Sequence, residues 1–239
     1  MPYNYLGLVN DINNLVNEVE LNSSNFATAV GFYSTAKLAV NSAVRQINFM
    51  QFEWPFNHVE HTEVLVPNQT RYTFPATHKT TDMESFRIKK NSTLNNETSR
   101  LHVLSYEEYL DKFVNQEYDL ATVNTGLPKY VFRTPDNGYG LVPKPDKAYE
   151  LVYEYYQLQT GLVNWNDIPT IPENFRSIIV DGAMVYVYLF RGNTQDAALM
   201  DQSFKAGIRD MRSLYINRYD YARSTVRHRN PTSGEFVRL

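Results

Sequence analysis

Residues 168–192, "IPTIPENFRSIIVDGAMVYVYLFRG", carry two opposed signals. Val185-Tyr186-Val187-Tyr188 is β-branched and aromatic, the composition of a strand. Period decides against it. Phe175, Ile178, Ile179, Gly182, Val185, Tyr186 and Leu189 recur at steps of three and four, which is one face of a helix. Pro172 suits the first helical turn, where its missing N–H is not needed, and Gly192 suits the stop. The β-branched residues cost a few tenths of a kcal/mol each in helix propensity. Burial of a large apolar side chain contributes about 1.5–3 kcal/mol and outweighs that. Val187 and Phe190 lie off this face and are apolar too, so the helix is expected to be buried on more than one side.

A second helix follows at once, capped by Asn193 or Thr194, with Ala197, Met200, Phe204, Ile208, Met211 and Tyr215 at helical spacing. So short a loop implies an antiparallel pair. The expected core of this pair is Phe175, Ile178, Ile179, Val185, Tyr186, Leu189, Phe204, Ile208 and Met211. The N-terminal region offers a matching pair. Leu8, Ile12, Leu15 and Val19 are spaced as one helix. Ser23 or Ser24 would cap another, carrying Phe26, Val30, Tyr33, Val40, Val44 and Ile47 and ending near Pro55.

Between these pairs the pattern changes. Glu63–Val66, a Pro67-Asn68-Gln69 turn and Arg71–Phe74 read as a hairpin. Met83–Lys89 and Leu101–Leu104 read as strands flanking a polar turn at Asn91–Asn96. Ser105-Tyr106-Glu107-Glu108 is a capping box opening a small helix to Phe113. Lys129–Arg133 and Tyr139–Val142 flank Pro135-Asp136-Asn137-Gly138, a hairpin turn. Tyr149–Tyr156 is a strand with Leu151, Tyr153 and Tyr155 on one face. The expected fold is α+β: an antiparallel helical bundle from both chain ends (1–56 and 168–217), an inserted β-rich domain (57–167) and an extended arm (218–239).

Hydrophobic residues make up 43% of the chain and charged residues 21%, an ordinary balance for a packed domain. Eighteen Tyr and 13 Phe favour sheets and interfaces, where a polar-tipped ring is useful. The absence of Cys excludes disulfides, thiolate zinc sites and cysteine nucleophiles, and suits a reducing cytoplasm. The opening Met1–Tyr5 has neither a basic start nor an apolar core, so no secretory signal is expected. No apolar run approaches the roughly 20 residues that cross a membrane. Charge is uneven. Residues 201–239 hold eight Lys/Arg against four Asp/Glu, and the rest 15 against 22, so a net −3 divides into +4 and −7.

Chemistry-bearing motifs are sparse. No phosphate-cradling glycine loop or nucleophile elbow occurs. His58-Val59-Glu60-His61 is the one cluster with metal-like spacing, but residues three apart on a strand point to opposite faces. A polar strand edge is the reading adopted, and no metal or cofactor is expected. Glu150 and Glu154 share a strand face and would need to lie roughly 5–10 Å apart to act as a glycosidase pair. Their alternation with Leu and Tyr reads as a solvated sheet face. Arg218, Arg223, Arg227, Arg229 and Arg238, interleaved with Tyr219 and Tyr221, leave three readings open: nucleic-acid contact, docking onto a protein partner, or a solvated tail. The arm lacks an apolar pattern that would offset ordering, so it is expected to be disordered before assembly.

Several phrases stand in a familiar order: "FEWPFN", "RYTFP", "LSYEEYLDKF", "PKYVF", "LVPKPDKAYELVYEYYQ" and "IPENFRSIIVDGAMVYVYLF". In that order, with helices at both ends, the chain resembles the head-to-tail connector adaptors of short-tailed bacteriophages (tail tubular protein A-like) over residues 5–217. The resemblance implies a structural virion protein rather than an enzyme. It implies a ring, twelvefold in such adaptors, between the portal protein and the tail nozzle protein, with a channel that passes and retains genomic DNA. It also places the arm, here Arg218, Tyr219, Tyr221, Arg223, Arg227, Arg229, Phe236 and Arg238, against the portal. Other tail completion proteins, a tail-borne wall hydrolase and a DNA-binding module remain the alternatives.

Overall fold

The computed structural model describes residues 2–89, 98–118 and 124–215, with the backbone of 228–229 and 236–237. The chain is α+β, and it divides into two compact units, residues 1–50 with 161–239 and residues 51–160.

The first unit is helical. Its helices are α1 (Tyr5–Leu15), α2 (Phe32–Met50), α5 (Arg176–Phe190) and α6 (Thr194–Tyr215). Helix α5 packs against α1, α2 and α6. Pro172 leads into a 3₁₀ turn at Glu173–Phe175 that opens α5. Gly192 at φ +75° ends it, because a left-handed residue there carries no Cβ penalty. Asn193 then caps α6: its Oδ1 accepts from the Asp196 N–H at 3.2 Å. Asn41 Oδ1 accepts from the Leu162 N–H at 2.7 Å, and its Nδ2 donates to the Leu162 carbonyl at 3.0 Å. The loop before α5 is thereby tied to α2.

Two N-terminal expectations fail. Helix α1 stops at Leu15, and Leu15 and Val19 are exposed. Asn10 explains the stop: its side chain holds both the N–H and the C=O of Leu21 at 2.8 Å, drawing the returning chain across the helix. Nor does a helix start at Ser23 or Ser24. Residues 23–28 form turns, and α2 begins only after Gly31 at φ +69°. Phe26 is buried edge-on against Tyr5 at 5.1 Å, while Val30 is exposed. Lys37 Nζ binds the carbonyls of Phe26 and Ala29 at 2.9 and 3.0 Å, satisfying the turn that a helix would have satisfied internally.

The second unit is built on two sheets and two short helices. One sheet joins β1 (His58–Val64), β9 (Glu150–Gln157), β4 (Arg87–Lys89) and β5 (Thr98–Arg100) in that order, with β3 (His78–Thr81) also paired to β9. The other has the order β2 (Arg71–Thr73), β8 (Gly138–Val142), β7 (Tyr130–Arg133) and β6 (His102–Leu104). Leu65, Tyr72, Phe86, Ile88, Tyr139, Leu151 and Tyr153 belong to one buried cluster drawn from both sheets. Phe132 and Val142 form another with Tyr109 of α3 (Tyr106–Lys112), which is followed by α4 (Val114–Tyr118). The capping box is formed: Ser105 and Glu108 bond each other's backbone N–H. The β7–β8 turn closes with Thr134 Oγ1 accepting from the Gly138 N–H at 3.1 Å.

The hairpin expected at Glu63–Phe74 is not one. Strand β1 pairs with β9 and β2 with β8, so Pro67-Asn68-Gln69 carries the chain from one sheet to the other. The Tyr72 hydroxyl, within hydrogen-bond reach of the Val66 and Gln69 carbonyls at 3.1 and 3.2 Å, fastens that crossing. The Met83–Lys89 strand is shorter than expected, because Asp82 caps a 3₁₀ turn at Met83–Ser85. The expected turn at Asn91–Asn96 lies outside the described residues.

Candidate functional site

The sequence offered catalytic candidates only in the β-rich unit. His58 and His61 lie on opposite faces of β1. His58 packs on Tyr156 and meets Glu154 at 3.1 Å, whereas His61 packs on Tyr153. Among the described residues no group of His, Asp and Glu is placed to hold a metal ion. Glu150 and Glu154 share the outer face of β9, but each has its own partner: Glu150 faces Lys89 at 3.0 Å and Glu154 faces His58.

Two polar centres escaped the sequence reading. Arg71 grips Glu117 with two bonds, 2.9 and 3.0 Å, the Tyr109 hydroxyl donates to the same carboxylate, and Lys144 Nζ binds the Glu117 carbonyl at 2.8 Å. Burial alone would raise the Glu117 pKa, but the bonds from Arg71 and Tyr109 outweigh it and hold the carboxyl below its usual range. This clasp fixes α4 to the edge strand β2. The second centre is Tyr139, whose hydroxyl donates to Glu63 at 2.5 Å inside the aromatic core. Burial, then the Glu63 carboxylate, pushes its pKa far up. Both groups are locked by their partners and read as structural.

The helical unit presents a different surface. Phe175, Ile178, Ile179, Phe204, Ile208 and Met211 are buried. Val185 is half-buried, and Tyr186 and Leu189, expected in the core, are 38% and 53% exposed. The buried residues in the second half of α5 are instead Ala183, Met184 and Val187. Nearly every side chain from 178 to 190 is apolar, so composition could not say where the covering neighbours end. The result is an apolar patch on consecutive turns: Tyr186, Leu189 and Phe190, the last 64% exposed. Leu199 and Leu214 on α6 and Leu38 and Phe49 on α2 are also exposed. Exposed apolar groups gathered on one element of a folded unit favour an interaction surface over a catalytic one.

Of the arm residues, Arg218, Tyr219, Tyr221, Arg223, Arg227 and Arg238 lie outside the described residues. Arg229 and Phe236 are register partners in a short antiparallel ladder, β10 (His228–Arg229) with β11 (Phe236–Val237). No helix among the described residues is long and apolar enough to cross a membrane.

No curated protein sequence matches the chain. The match to a family model is nearly complete. It covers residues 3–229, taking in both chain ends of the helical unit and all of the β-rich unit, and its description is SU10 adaptor protein. An exposed apolar helical surface suits such a structural part, and the chain belongs to the SU10 adaptor protein family of phage structural proteins.

Proposed function

We propose that this protein is the ring-forming adaptor of a short-tailed phage, seated between the portal protein and the tail nozzle protein at one vertex of the capsid. The family match over residues 3–229 carries this reading. Copies would assemble as a closed ring, a dodecamer, around a channel through which genomic DNA passes and in which it is retained. A ring built head to tail needs two different faces on each subunit. The exposed apolar end of α5 supplies one, and the outer side of α2, with Leu38 and Phe49, supplies a second. The β-rich unit would face the nozzle and the Arg-rich arm the portal. The division of charge agrees with this: an acidic body lets DNA slide, while a basic arm holds a partner.

A nonsense mutation in the phage tests it. The expected product is full-size heads that carry portal but neither nozzle nor stable genome. Complete, tailed, infectious particles from the same mutant would overturn the proposal.

A further inference from the structure

Strand β1 stands at one end of its sheet and, among the described residues, pairs only with β9. The direction of its main-chain groups follows from register. The Leu65 N–H donates to the Tyr149 carbonyl at 2.8 Å, so Leu65 faces β9. Successive residues alternate. Glu63, His61 and Val59 therefore face β9 as well, and Glu60, Thr62 and Val64 turn their N–H and C=O the other way. Strand β9 agrees: Glu154, opposite Glu60, donates its N–H to Ser85 Oγ at 2.9 Å, away from β1. The N–H and C=O groups of Glu60, Thr62 and Val64 have no partner among the described residues, and all three residues are exposed.

Folded proteins blunt such an edge with short strands, bulges, lysine or proline. The other edges of this unit do so. Strands β2, β5 and β6 have three residues each, and β2 lies under the Glu117 clasp. Strand β3 carries Lys79 and a shift of register between His78 and Thr80. Strand β1 runs seven residues in unbroken register, with no proline or lysine. Its side chains indicate what it pairs with. Glu60 and Glu154 stand directly opposite each other on one face, and like charges so placed repel. Glu154 has His58 at 3.1 Å, whereas Glu60 has no ion pair among the described residues. Val64, on the same face, is 61% exposed.

We infer that the outer edge of β1 receives an extended strand of a partner protein by antiparallel main-chain pairing, with lysine or arginine opposite Glu60 and an apolar side chain opposite Val64. The basic residue meets a carboxylate that β1 leaves without a cation, and the apolar one covers the exposed valine. A second copy of β1 fits poorly, because edge-to-edge pairing would gather Glu60 and Glu154 from both copies on one sheet. This inference concerns the β-rich unit alone and stands whether or not a ring forms.

A peptide with Val-Thr-Thr-Thr-Lys at its centre sets Val opposite Val64 and Lys opposite Glu60. Titrated into the full chain at millimolar concentration, it is expected to slow amide exchange at Glu60, Thr62 and Val64, which exchange fast in the free protein. A peptide with Glu in place of Lys is expected to bind several-fold more weakly. Thr62→Pro removes an outward N–H without touching the β9 ladder, so it should abolish binding and leave the melting temperature nearly unchanged. Glu60→Lys, which leaves the backbone intact, should reverse the preference between the two peptides. No protection, protection only elsewhere, equal binding of both peptides, or a dimer of the protein that Thr62→Pro dissolves would overturn the inference.

Discussion

Gly182 measures how closely the helices approach. A Cβ built there would lie 2.6 Å from Phe204 Cε2 and 3.1 Å from Ala43 Cβ, so α6 and α2 both press against α5 at this one residue. Two effects compete in Gly182→Ala. Alanine gains about 1 kcal/mol of helix propensity. Overpacking costs typically about 1–3 kcal/mol, and a ring held by two neighbouring helices cannot move freely. A net destabilisation is expected, and Gly182→Val should be worse; urea midpoints of the two variants check the order. Lys79 gives a test by pH. Its Nζ donates to the Gln51 carbonyl at 2.8 Å beside the Phe52 ring, and burial lowers its pKa to about 8 from 10.5. Below pH 8 both folded and unfolded chains carry the proton, and the folded state bears the full desolvation penalty. Between about 8 and 10.5 the unfolded chain binds more protons, so this group's contribution to stability rises with pH. Lys79→Met should therefore flatten the alkaline part of the curve of urea midpoint against pH.

The clasp on Glu117 links residues to elements. Its depressed pKa contributes stability above the unfolded value of 4.5 that is lost as pH falls through the folded value. Arg71→Ala would leave the half-buried Glu117 carboxylate without its bidentate partner, at a cost of about 1–3 kcal/mol after allowing for its partial exposure and for Lys144 nearby. Amide exchange should quicken first in α3 and α4. Helix α5 makes the sharper contrast. Val187 is fully buried and Leu189 is 53% exposed, two residues apart. Val187→Asp should destabilise the fold by several kcal/mol, whereas Leu189→Asp should shift it by about 0.5 kcal/mol or less, measured by thermal melts at low concentration. The opposite order would place the core on the seven-residue repeat 175–182–189 that the sequence suggests.

That repeat also shows what a sequence can disclose about elements. The α5–α6 corner was legible because Pro172, Gly192 and Asn193 act locally, through φ and a cap. The β7–β8 turn, the Ser105 capping box and the alternation of Leu151, Tyr153 and Tyr155 were legible for the same reason. The features that failed depend on distant partners. Whether Arg71–Thr73 pairs back on β1 or crosses to β8 is decided 65 or more residues downstream, at Gly138–Gly140. Asn10 ends a helix by holding Leu21, and Arg71 meets Glu117 across 46 residues. Exposure of Tyr186 and Leu189 depends on how far the neighbouring helices extend, which spacing within one helix does not encode.

At the scale of the whole molecule, two compact units share one chain, and the charge divides into an acidic body and a basic end. If the arm binds a partner while the body lets DNA pass, removal of residues 216–239 should abolish portal binding and leave the folded units intact by melting. If the arm instead grips DNA, intact chain should bind duplex with an affinity that falls steeply with salt, and the truncation should lose it. Leu189→Asp with Phe190→Asp should fold as a monomer yet fail to enter a ring, since both side chains are exposed before assembly.

The most direct measurement is the mass of the purified protein by light scattering, alone and mixed with the portal protein of its phage. The expected result is a small species alone and, with portal, a complex whose added mass corresponds to a closed ring of 27.8 kDa subunits. A monomer or dimer that remains unchanged in the presence of portal would contradict it.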